Sequence, residues 1–577
     1  MAFGYEFVDL NDEQKHIRRA LLEHYPFVAF CSALVVFALF QLGFFLAWFT
    51  QRGLEYDKPK SPSLNKRAEG KWAWLKKSRH NVVRVKWWMK ASVICGWGTR
   101  GEWIGGVIWT LWLLYLSFAQ TGNDYLHLTK RFGIIGASQL PLHYLLAMRS
   151  PYSPIQFLTR MSHEQLKGAH QVLGRIIFFL FVLHAVLYMI FFVLSGFLAK
   201  RIKDKDVIFG IFSIILFSIL STTALGQLRR WNYRVFYISH VLIATLVIAA
   251  LYIHVTHIRP YILGVIVVYI FHGLLRNFSL NVYKGSIRVL PGTNLVRIHI
   301  PLEAGNSALT WRPGQHVYLS LPTGKPYTQL ELRSLTNPFS VASVPANDKE
   351  LILVAKVMNG NTKKLADLAR SLVSHESDEA PRIPFALEGP YGYSNWLPDF
   401  STFDKILLVA GGVGATYVMP IYRNIISDCN YNHASRPEVR FIWSVRTLAD
   451  VQWAFLASTD DEVESEQSFS GSVVEVFVTG PSGSGLQIEE PSGEIELAED
   501  DQLLSLEEQM ERPRKGTMLK AGRPNIDAIV DEMFGTVERV AVISCGPKGL
   551  TDQLSKSVER WVGRGADVYW HKETFGW

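Results

Sequence analysis

Long apolar segments fill the first half of the chain, and short alternating segments fill the second half. Residues 1–26 are polar and mixed in charge, and no cleavable signal peptide is expected there. The apolar segments, each a candidate membrane span, are 27–49, 104–119, 132–148, 170–198, 207–226, 235–256 and 261–275. The pattern predicts a helical membrane bundle of about seven spans, followed by a soluble half.

Four histidines recur at one spacing inside two of these segments. His170 and His184 are fourteen residues apart, and so are His240 and His254. Fourteen helical residues turn through about 1400°, about 40° short of four full turns, so each pair lies on one helix face. A single membrane histidine could be a hydrogen-bonded core residue, but matched pairs favour function. Side by side, the helices would let each cross-pair, His170 with His240 and His184 with His254, bind the iron of one b-type haem.

Basic residues predict the orientation of the bundle. Residues 52–100 hold thirteen Lys and Arg, so the positive-inside rule places them in the cytoplasm and the N-terminus outside. Everything after Arg276 is then cytoplasmic, and the inner histidine pair is His170 with His240. One loop breaks the rule because it would place four basic residues outside, partly offset by two aspartates: Lys200, Arg201, Lys203 and Lys205.

Composition narrows the class of protein. Hydrophobic residues make up 49% of the chain, which is high for a soluble protein of 577 residues. The formal charge of +8 needs no nucleic-acid partner, because the basic residues lie largely beside membrane segments. The four cysteines show no CxxC or pairing pattern, so neither a disulfide framework nor a zinc site is predicted: Cys31, Cys95, Cys429 and Cys545.

From about residue 280 the pattern is that of short β-strands. The runs NVYKGSIRVL, NLVRIHI and HVYLSLP are rich in β-branched residues and predict a small antiparallel barrel. Within it, a Gly-Asn turn at Gly360 precedes a predicted helix. Backbone amides at such a turn suit a pyrophosphate, although an ordinary hairpin is an equal alternative.

The remaining soluble part alternates strands with helices. KILLVAGGVGA (405–415) is a buried strand with a glycine turn, followed by a helix, which is the dinucleotide-binding arrangement. Further strands at 440–446, 473–480 and 539–550 predict an α/β doubly wound sheet. Arg446 lies just past a strand end, where an arginine favours a 2′-phosphate and hence NADPH over NADH. A surface arginine without a ligand is the alternative.

Several short motifs, with the histidine pairs, carry a resemblance to a known family. They are GPYGY from Gly389, AGGVG at 410–414, GRPN at 522–525, SCGP at 544–547 and the terminal ETFGW. Over about 100–577 the chain resembles the fungal ferric/cupric reductase transmembrane family, within the superfamily that includes NADPH oxidases. The resemblance implies FAD, two b-type haems and NADPH as cofactors, with FAD converting two-electron to one-electron transfer.

The same resemblance implies the site residues. The flavin contacts would be Pro338, Phe339 and Ser340, with Gly360, Asn361 and Thr362 near its pyrophosphate. The NADPH site would be lined by Gly411, Gly412, Gly414, Arg523, Cys545 and Gly546. Phe575 and Trp577 would stack on the flavin and yield to nicotinamide, although a packing anchor is an equal alternative for the terminal tryptophan. Asn337 departs from the family, which usually has histidine there.

These assignments divide the chain into an extracytoplasmic segment (1–26), a first span with a basic cytoplasmic loop (27–103), a transmembrane dihaem domain (104–278), an FAD-binding β-barrel (279–398) and an NADPH-binding domain (399–577). The Gly/Ser/Glu-rich composition of about 481–521 predicts a disordered acidic insertion.

The predicted function is a transmembrane metalloreductase in the plasma membrane, with its dehydrogenase domain in the cytoplasm. Its acceptors would be small ferric or cupric complexes, its expected partners include high-affinity iron-uptake proteins, and Asp124 and His127 in an outward loop are candidate metal contacts. Two alternatives stay open. One is an NADPH oxidase that forms superoxide, and the other is a metal transporter with a regulatory nucleotide domain.

Overall fold

A computed structural model describes the chain over residues 4–56, 80–91, 98–302, 310–320, 337–345, 348, 350–372, 381–392, 397–431, 437–455, 472–480, 517–535 and 539–573. Two compact units divide these residues: the first holds 4–56 and 85–278, and the second holds 80–84 and 279–573. Most of the predicted acidic insertion, residues 481–516, lies outside the described residues.

The first unit is helical. Its helices are α1 (Asp12–Tyr56), α2 (Arg100–Phe118), α3 (Tyr125–Ser138), α4 (Leu140–Leu146), α5 (Pro154–Thr159), α6 (His163–Leu194), α7 (Leu198–Arg201), α8 (Lys205–Thr223), α9 (Gly226–Trp231), α10 (Tyr233–His254) and α11 (Arg259–Phe278). Residues 80–90 are also helical. A short 3-10 turn, Thr256–Ile258, joins α10 to α11.

Among the described residues, five helical segments are long and apolar enough to cross a membrane: Asp12–Phe49, His163–Leu194, Lys205–Thr223, Tyr233–His254 and Thr256–Phe278. They overlap five of the seven predicted spans. The predicted span 104–119 coincides with helix α2, which is not among the five. The total of seven spans therefore stays a prediction.

The predicted span 132–148 is two short helices rather than one. Pro141 is the second residue of α4, and a proline lacks the N–H that a continuous helix would need and clashes with the preceding turn. Gln139 lies buried at the junction between α3 and α4. Its side-chain amide donates to the carbonyl of Ala29 at 3.2 Å and accepts from Nε1 of Trp109 at 3.1 Å. These bonds give the buried side chain of Gln139 both a donor and an acceptor partner.

Local caps determine where the two histidine-bearing helices begin. Ser162 and Gln165 form a capping box at the start of α6, in which each side chain bonds the other residue's backbone N–H. The side chain of Asn232 accepts a hydrogen bond from the N–H of Val235 at 3.2 Å and so caps α10. The start of each helix is therefore encoded by residues next to it.

The second unit begins with an antiparallel barrel. Its strands are β1 (Leu280–Val289), β2 (Leu295–Pro301), β3 (His316–Ser320), β4 (Asn337–Ser340), β5 (Glu350–Lys356) and β6 (Ile383–Tyr391), in the order β4-β3-β6-β1-β2-β5. Val341, directly after β4, forms an antiparallel bridge with Leu353 of β5, so the sheet nearly closes. Helix α12 (Asn361–Ser371) packs on β1 and β2. Apolar side chains such as Phe385 and Leu351 fill the interior.

A six-stranded parallel sheet follows the barrel. Its strands are β7 (Lys405–Gly411), β8 (Glu438–Val445), β9 (Ser472–Val478), β10 (Thr517–Ala521), β11 (Arg539–Cys545) and β12 (Asp567–Glu573), in the order β10-β9-β8-β7-β11-β12. Its helices are α13 (Ala415–Tyr431), α14 (Gln452–Phe455), α15 (Ile526–Phe534) and α16 (Lys548–Arg564). The strand order reverses between β7 and β11, as in a doubly wound fold.

The barrel and the parallel sheet share an apolar core. Ile352 of the barrel belongs to the same buried cluster as Tyr417 and Ile421 of α13. Arg423 of α13 holds Asp348 of the barrel through two hydrogen bonds of 2.8 and 3.1 Å. A bidentate arginine–carboxylate pair fixes geometry as well as charge. Within the second unit, the two sheets are therefore packed against each other.

Candidate functional site

The structure brings the four predicted haem-ligand histidines together in two pairs. The ring centroids of His170 and His240 are 6.5 Å apart, and those of His184 and His254 are also 6.5 Å apart. A metal–nitrogen distance of about 2.0–2.1 Å puts an imidazole centroid about 3 Å from a bound metal, so two rings on opposite sides would be about 6 Å apart. Both separations therefore fit one iron atom between two imidazoles.

Backbone carbonyls orient most of these imidazoles. A hydrogen bond from Nδ1 to a carbonyl fixes the tautomer and leaves Nε2 free for a metal. Three histidines have such a partner: His170 with the carbonyl of His143 at 3.1 Å, His184 with that of Thr129 at 2.8 Å, and His254 with that of Asp206 at 2.6 Å. Among the described residues, the buried Nδ1 atom of His240 has no hydrogen-bond partner.

Glycines on neighbouring helices make room for the pair formed by His184 and His254. A Cβ atom at Gly133 of α3 would lie 2.7 Å from Nδ1 of His184. A Cβ atom at Gly210 of α8 would lie 2.7 Å from Cε1 of His254. Small residues let membrane helices and their side chains approach closely. Glycine at these two positions thus leaves space for both imidazole rings of this pair.

His143 contacts the other pair, formed by His170 and His240, although its position in the sequence favours a bystander role. Its ring stacks on that of His170 with centroids 4.0 Å apart and planes 10° apart. A Cβ atom at Gly174 would lie 2.9 Å from Cε1 of His143, so glycine leaves space for the ring. No sequence signal connects the two histidines, because His143 lies on α4 and His170 on α6.

The expectation that Asp124 and His127 lie in an open loop is wrong. They are only 8% and 3% exposed. Asp124 caps α3 by accepting from the N–H of His127 at 3.0 Å, and it accepts from Nη1 of Arg18 at 2.6 Å. His127 contacts Nη2 of the buried Arg131 at 3.1 Å. Because these groups already have partners, the structure gives no support for a metal there.

The predicted flavin residues lie on the barrel and on the helix that packs on it. Pro338, Phe339 and Ser340 belong to β4. Phe339 and Ser340 are buried, and among the described residues the Oγ atom of Ser340 has no hydrogen-bond partner. A buried hydroxyl without a partner is costly, so a polar ligand group would satisfy it. This observation fits FAD.

The predicted pyrophosphate turn precedes a helix as expected. Gly360 is the N-cap of α12 with φ of 92°, a conformation that favours glycine, and no side chain caps the helix. Thr362 instead accepts from the N–H of Met358 at 2.9 Å. The side-chain amide of Asn361 donates to Oδ1 of Asn337 at 3.3 Å. Asn337 therefore contacts the predicted pyrophosphate turn, although it replaces the family's usual histidine.

The predicted nucleotide glycines meet at the point where the strand order reverses. Gly411 ends β7 and Gly546 follows β11, its neighbour in the sheet. A Cβ atom at Gly546 would lie 2.8 Å from the backbone nitrogen of Gly411, and one at Gly414 would collide with the carbonyl oxygen of Cys545. Gly412 has φ of 54° and open space around it. Ligands of open α/β sheets bind at this reversal point.

Arg446 and Arg523 are exposed at the same edge of the sheet. Val445, Val478 and Ala521 align across strands β8, β9 and β10. Arg446 directly follows the first of these residues, and Arg523 lies two residues after the last. Two guanidinium groups at this edge suit the recognition of a phosphate.

The environment of Cys545 determines its chemistry. Burial raises the pKa of its thiol well above the ordinary value, and the nearby carboxylate of Glu573 raises it further. The thiol is therefore protonated at neutral pH and is not a thiolate nucleophile.

Phe575 and Trp577, predicted to act on the flavin, lie outside the described residues.

A helical unit with paired histidines, followed by an antiparallel barrel and a doubly wound sheet, is the arrangement of a membrane-bound flavin and nicotinamide reductase. The chain matches the family model "Ferric reductase like transmembrane component" over residues 132–251. It matches "FAD-binding domain" over 279–395 and "Ferric reductase NAD binding domain" over 403–559. The chain is therefore an oxidoreductase with a transmembrane ferric reductase domain, followed by FAD-binding and NAD-binding domains.

Several fungal metal reductases are similar to this chain over most of its length. The chain is 24% identical to "Ferric/cupric reductase transmembrane component 2" of Schizosaccharomyces pombe, over 77% of this chain and 80% of that protein. It is 26% identical to "Probable metalloreductase AIM14" of Candida tropicalis, over 78% and 84%. It is 25% identical to "Ferric reductase transmembrane component 4" of Saccharomyces cerevisiae, over 77% and 63%. The predicted resemblance to fungal ferric/cupric reductases is confirmed.

Proposed function

We propose that this protein is a transmembrane metalloreductase of the plasma membrane. It oxidises NADPH on the cytoplasmic side and reduces ferric or cupric complexes on the opposite side. The observation that carries the proposal is the pair of equal separations, 6.5 Å between His170 and His240 and 6.5 Å between His184 and His254. The two pairs are fourteen residues apart on their helices, which is about 21 Å along a helix axis.

Chain connectivity supports a proposed side of the membrane for each histidine pair. Helix α11 returns from the end of α10 that carries His254, and Arg276 near the end of α11 donates to the hydroxyl of Tyr237 near the start of α10 at 3.3 Å. The chain thus leaves the helices at the end that carries His170 and His240. The flavin and nucleotide domains follow directly in sequence, which supports the proposal that this pair is the inner one.

Each part of the chain has a separate task. When bound, FAD takes a hydride from NADPH and releases electrons singly, and haem carries single electrons. Ser340 and the first turn of α12 hold the flavin, Arg446 and Arg523 select the nucleotide phosphate, and the histidine pairs hold the haems. The buried, protonated Cys545 lies beside the nucleotide glycines as a neutral group.

The test uses the full-length protein purified in lipid nanodiscs. The expected result is a b-type haem spectrum, together with reduction of a ferric chelate that depends on NADPH and is insensitive to superoxide dismutase. Complete suppression by superoxide dismutase would make the protein an oxidase instead. A purified protein without haem absorbance would contradict both functions and would favour the transporter alternative.

A further inference from the structure

A segment with a net positive charge adjoins His254, one histidine of the pair assigned to the outer end. The Nδ1 atom of His254 hydrogen-bonds to the carbonyl of Asp206 at 2.6 Å. Asp206 ends the segment 198–206, which carries two aspartates, Asp204 and Asp206, against four exposed basic residues: Lys200, Arg201, Lys203 and Lys205. Arg201 pairs with Asp204 at 2.8 Å, while among the described residues the three lysines form no ion pair.

A further cation stands beside the other histidine of this pair. The Nδ1 atom of His184 hydrogen-bonds to the carbonyl of Thr129 at 2.8 Å. Lys130 directly follows Thr129 and is partly exposed. Within the described part of the chain, its ammonium group has no ion pair. Both imidazoles of the outer pair are thus bonded to a carbonyl whose residue adjoins a lysine in sequence.

Neither the membrane topology nor folding stability explains why the segment 198–206 carries four basic residues. The positive-inside rule disfavours basic residues at the outer end of a membrane bundle. Exposed lysines without ion pairs contribute little to folding stability, because water solvates them in both states. A ligand of opposite charge gives these residues a role, since positive charge around a site raises the local concentration of anions and their association rate.

We propose that the outer end, defined by His184, His254, Lys130 and the segment 198–206, receives a negatively charged metal complex as the terminal electron acceptor. This inference rests on the proposed function and specifies its substrate class, an anionic chelate such as ferric ion held by a polycarboxylate. One NADPH reduces two such complexes from Fe(III) to Fe(II) and yields NADP⁺ and one proton. Free ferric and cupric cations are disfavoured by the same charges.

The experiment compares two one-electron acceptors of opposite charge, ferricyanide and hexaammineruthenium(III). The variant Lys203→Gln/Lys205→Gln removes two exposed charges near His254. The matched control, Lys86→Gln/Lys556→Gln, removes two exposed lysine charges elsewhere. Both are purified as full-length protein in nanodiscs of neutral lipid. For the Lys203→Gln/Lys205→Gln variant, kcat/KM for ferricyanide should fall roughly three- to tenfold, because less positive charge attracts the anion. The kcat/KM for hexaammineruthenium(III) should rise, because less positive charge repels this cation.

Ferric–EDTA, an anionic chelate, should follow ferricyanide, and added salt should reduce the difference between variant and wild type. Equal changes for both acceptors, or the same change in the control, would overturn the inference. Haem absorbance and NADPH-driven flavin reduction, measured without acceptor, should match wild type in both variants. Failure of these readouts in the wild type would refute the proposed function itself, so the two failures are distinguishable.

Discussion

His170 and His240 lie at the same depth in their helices, each seven residues after the first residue of α6 or α10. Seven residues rise about 10.5 Å in an α-helix. Because His184 and His254 each follow fourteen residues later, two helices running in the same direction align both pairs at once. The capping residues next to the helix starts, Ser162 and Asn232, therefore help to set the height of all four histidines.

Loss of one outer histidine should remove one haem. We expect His184→Ala to lower the b-type absorbance by about half, because one axial ligand of one site is lost. Electron transfer to the outer acceptor should stop, while NADPH-driven flavin reduction continues. Haem content is measured by the reduced-minus-oxidised spectrum. His257→Ala, a change one turn beyond His254, is the control and should leave both haems. Retention of full absorbance in His184→Ala would contradict the pairing.

The stacked ring of His143 should stabilise the inner pair without being a ligand. An aromatic stacking contact contributes about 0.5–1.5 kcal/mol, so His143→Ala should weaken haem retention at the inner site roughly two- to tenfold. His143→Phe keeps a flat ring above Gly174 and should restore most of the retention. Retention is measured by the loss of b-type absorbance under mild denaturant. If alanine and phenylalanine behaved alike, stacking would not be the cause.

Arg446 should discriminate between the two nicotinamide cofactors. We expect Arg446→Ala to weaken NADPH binding by about 1.5–3 kcal/mol, roughly tenfold or more, because a charge-assisted hydrogen bond to phosphate is lost. NADH, which lacks the 2′-phosphate, should be affected little. The measurement is the KM of flavin reduction for each cofactor. An exposed arginine on helix α1, Arg19, gives the matched control Arg19→Ala. Equal losses for NADPH and NADH would exclude the assigned role.

A buried carboxylate should make the parallel sheet sensitive to acid. Glu475 on β9 is 3% exposed and bonds Nε of Arg440 at 2.5 Å and Nζ of Lys520 at 2.6 Å. Burial alone would raise the pKa of Glu475, but the hydrogen bonds from Arg440 and Lys520 outweigh it and lower the pKa. A lowered pKa means that the stabilisation is present at neutral pH and is lost as the pH falls through the folded-state value.

Substitutions of Arg440 and of Glu475 should therefore lower the stability of the sheet by different amounts. Arg440→Ala leaves a buried carboxylate without its main partner and should cost about 3–5 kcal/mol. Glu475→Gln removes the charge itself, so it should cost less and abolish the extra acid sensitivity below the ordinary glutamate pKa of about 4.3. Hydrogen exchange of the amides in β8, β9 and β10 measures the local stability. The same pH profile in wild type and Glu475→Gln would refute this account.

Short-range sequence patterns determined much of the architecture. The fourteen-residue spacing predicted which histidines share a helix face, because helical periodicity depends only on neighbouring residues. The glycine turn after KILLVAGGVGA predicted a strand, a turn and a helix, and the sheet is parallel and doubly wound. The segment 132–148 was misread as one span because its apolar composition outweighed the signal of Pro141.

Only the tertiary structure decided which distant groups meet. The contact of His143 with His170, the carbonyl of Asp206 beside His254 and the burial of Asp124 all join residues of different helices. Such contacts depend on how helices pack, and hydropathy along one segment carries no information about its neighbours. The sequence alone therefore singled out the four histidines and the nucleotide glycines as candidates, while packing decided their hydrogen-bond partners and brought the carbonyl of Asp206 to His254.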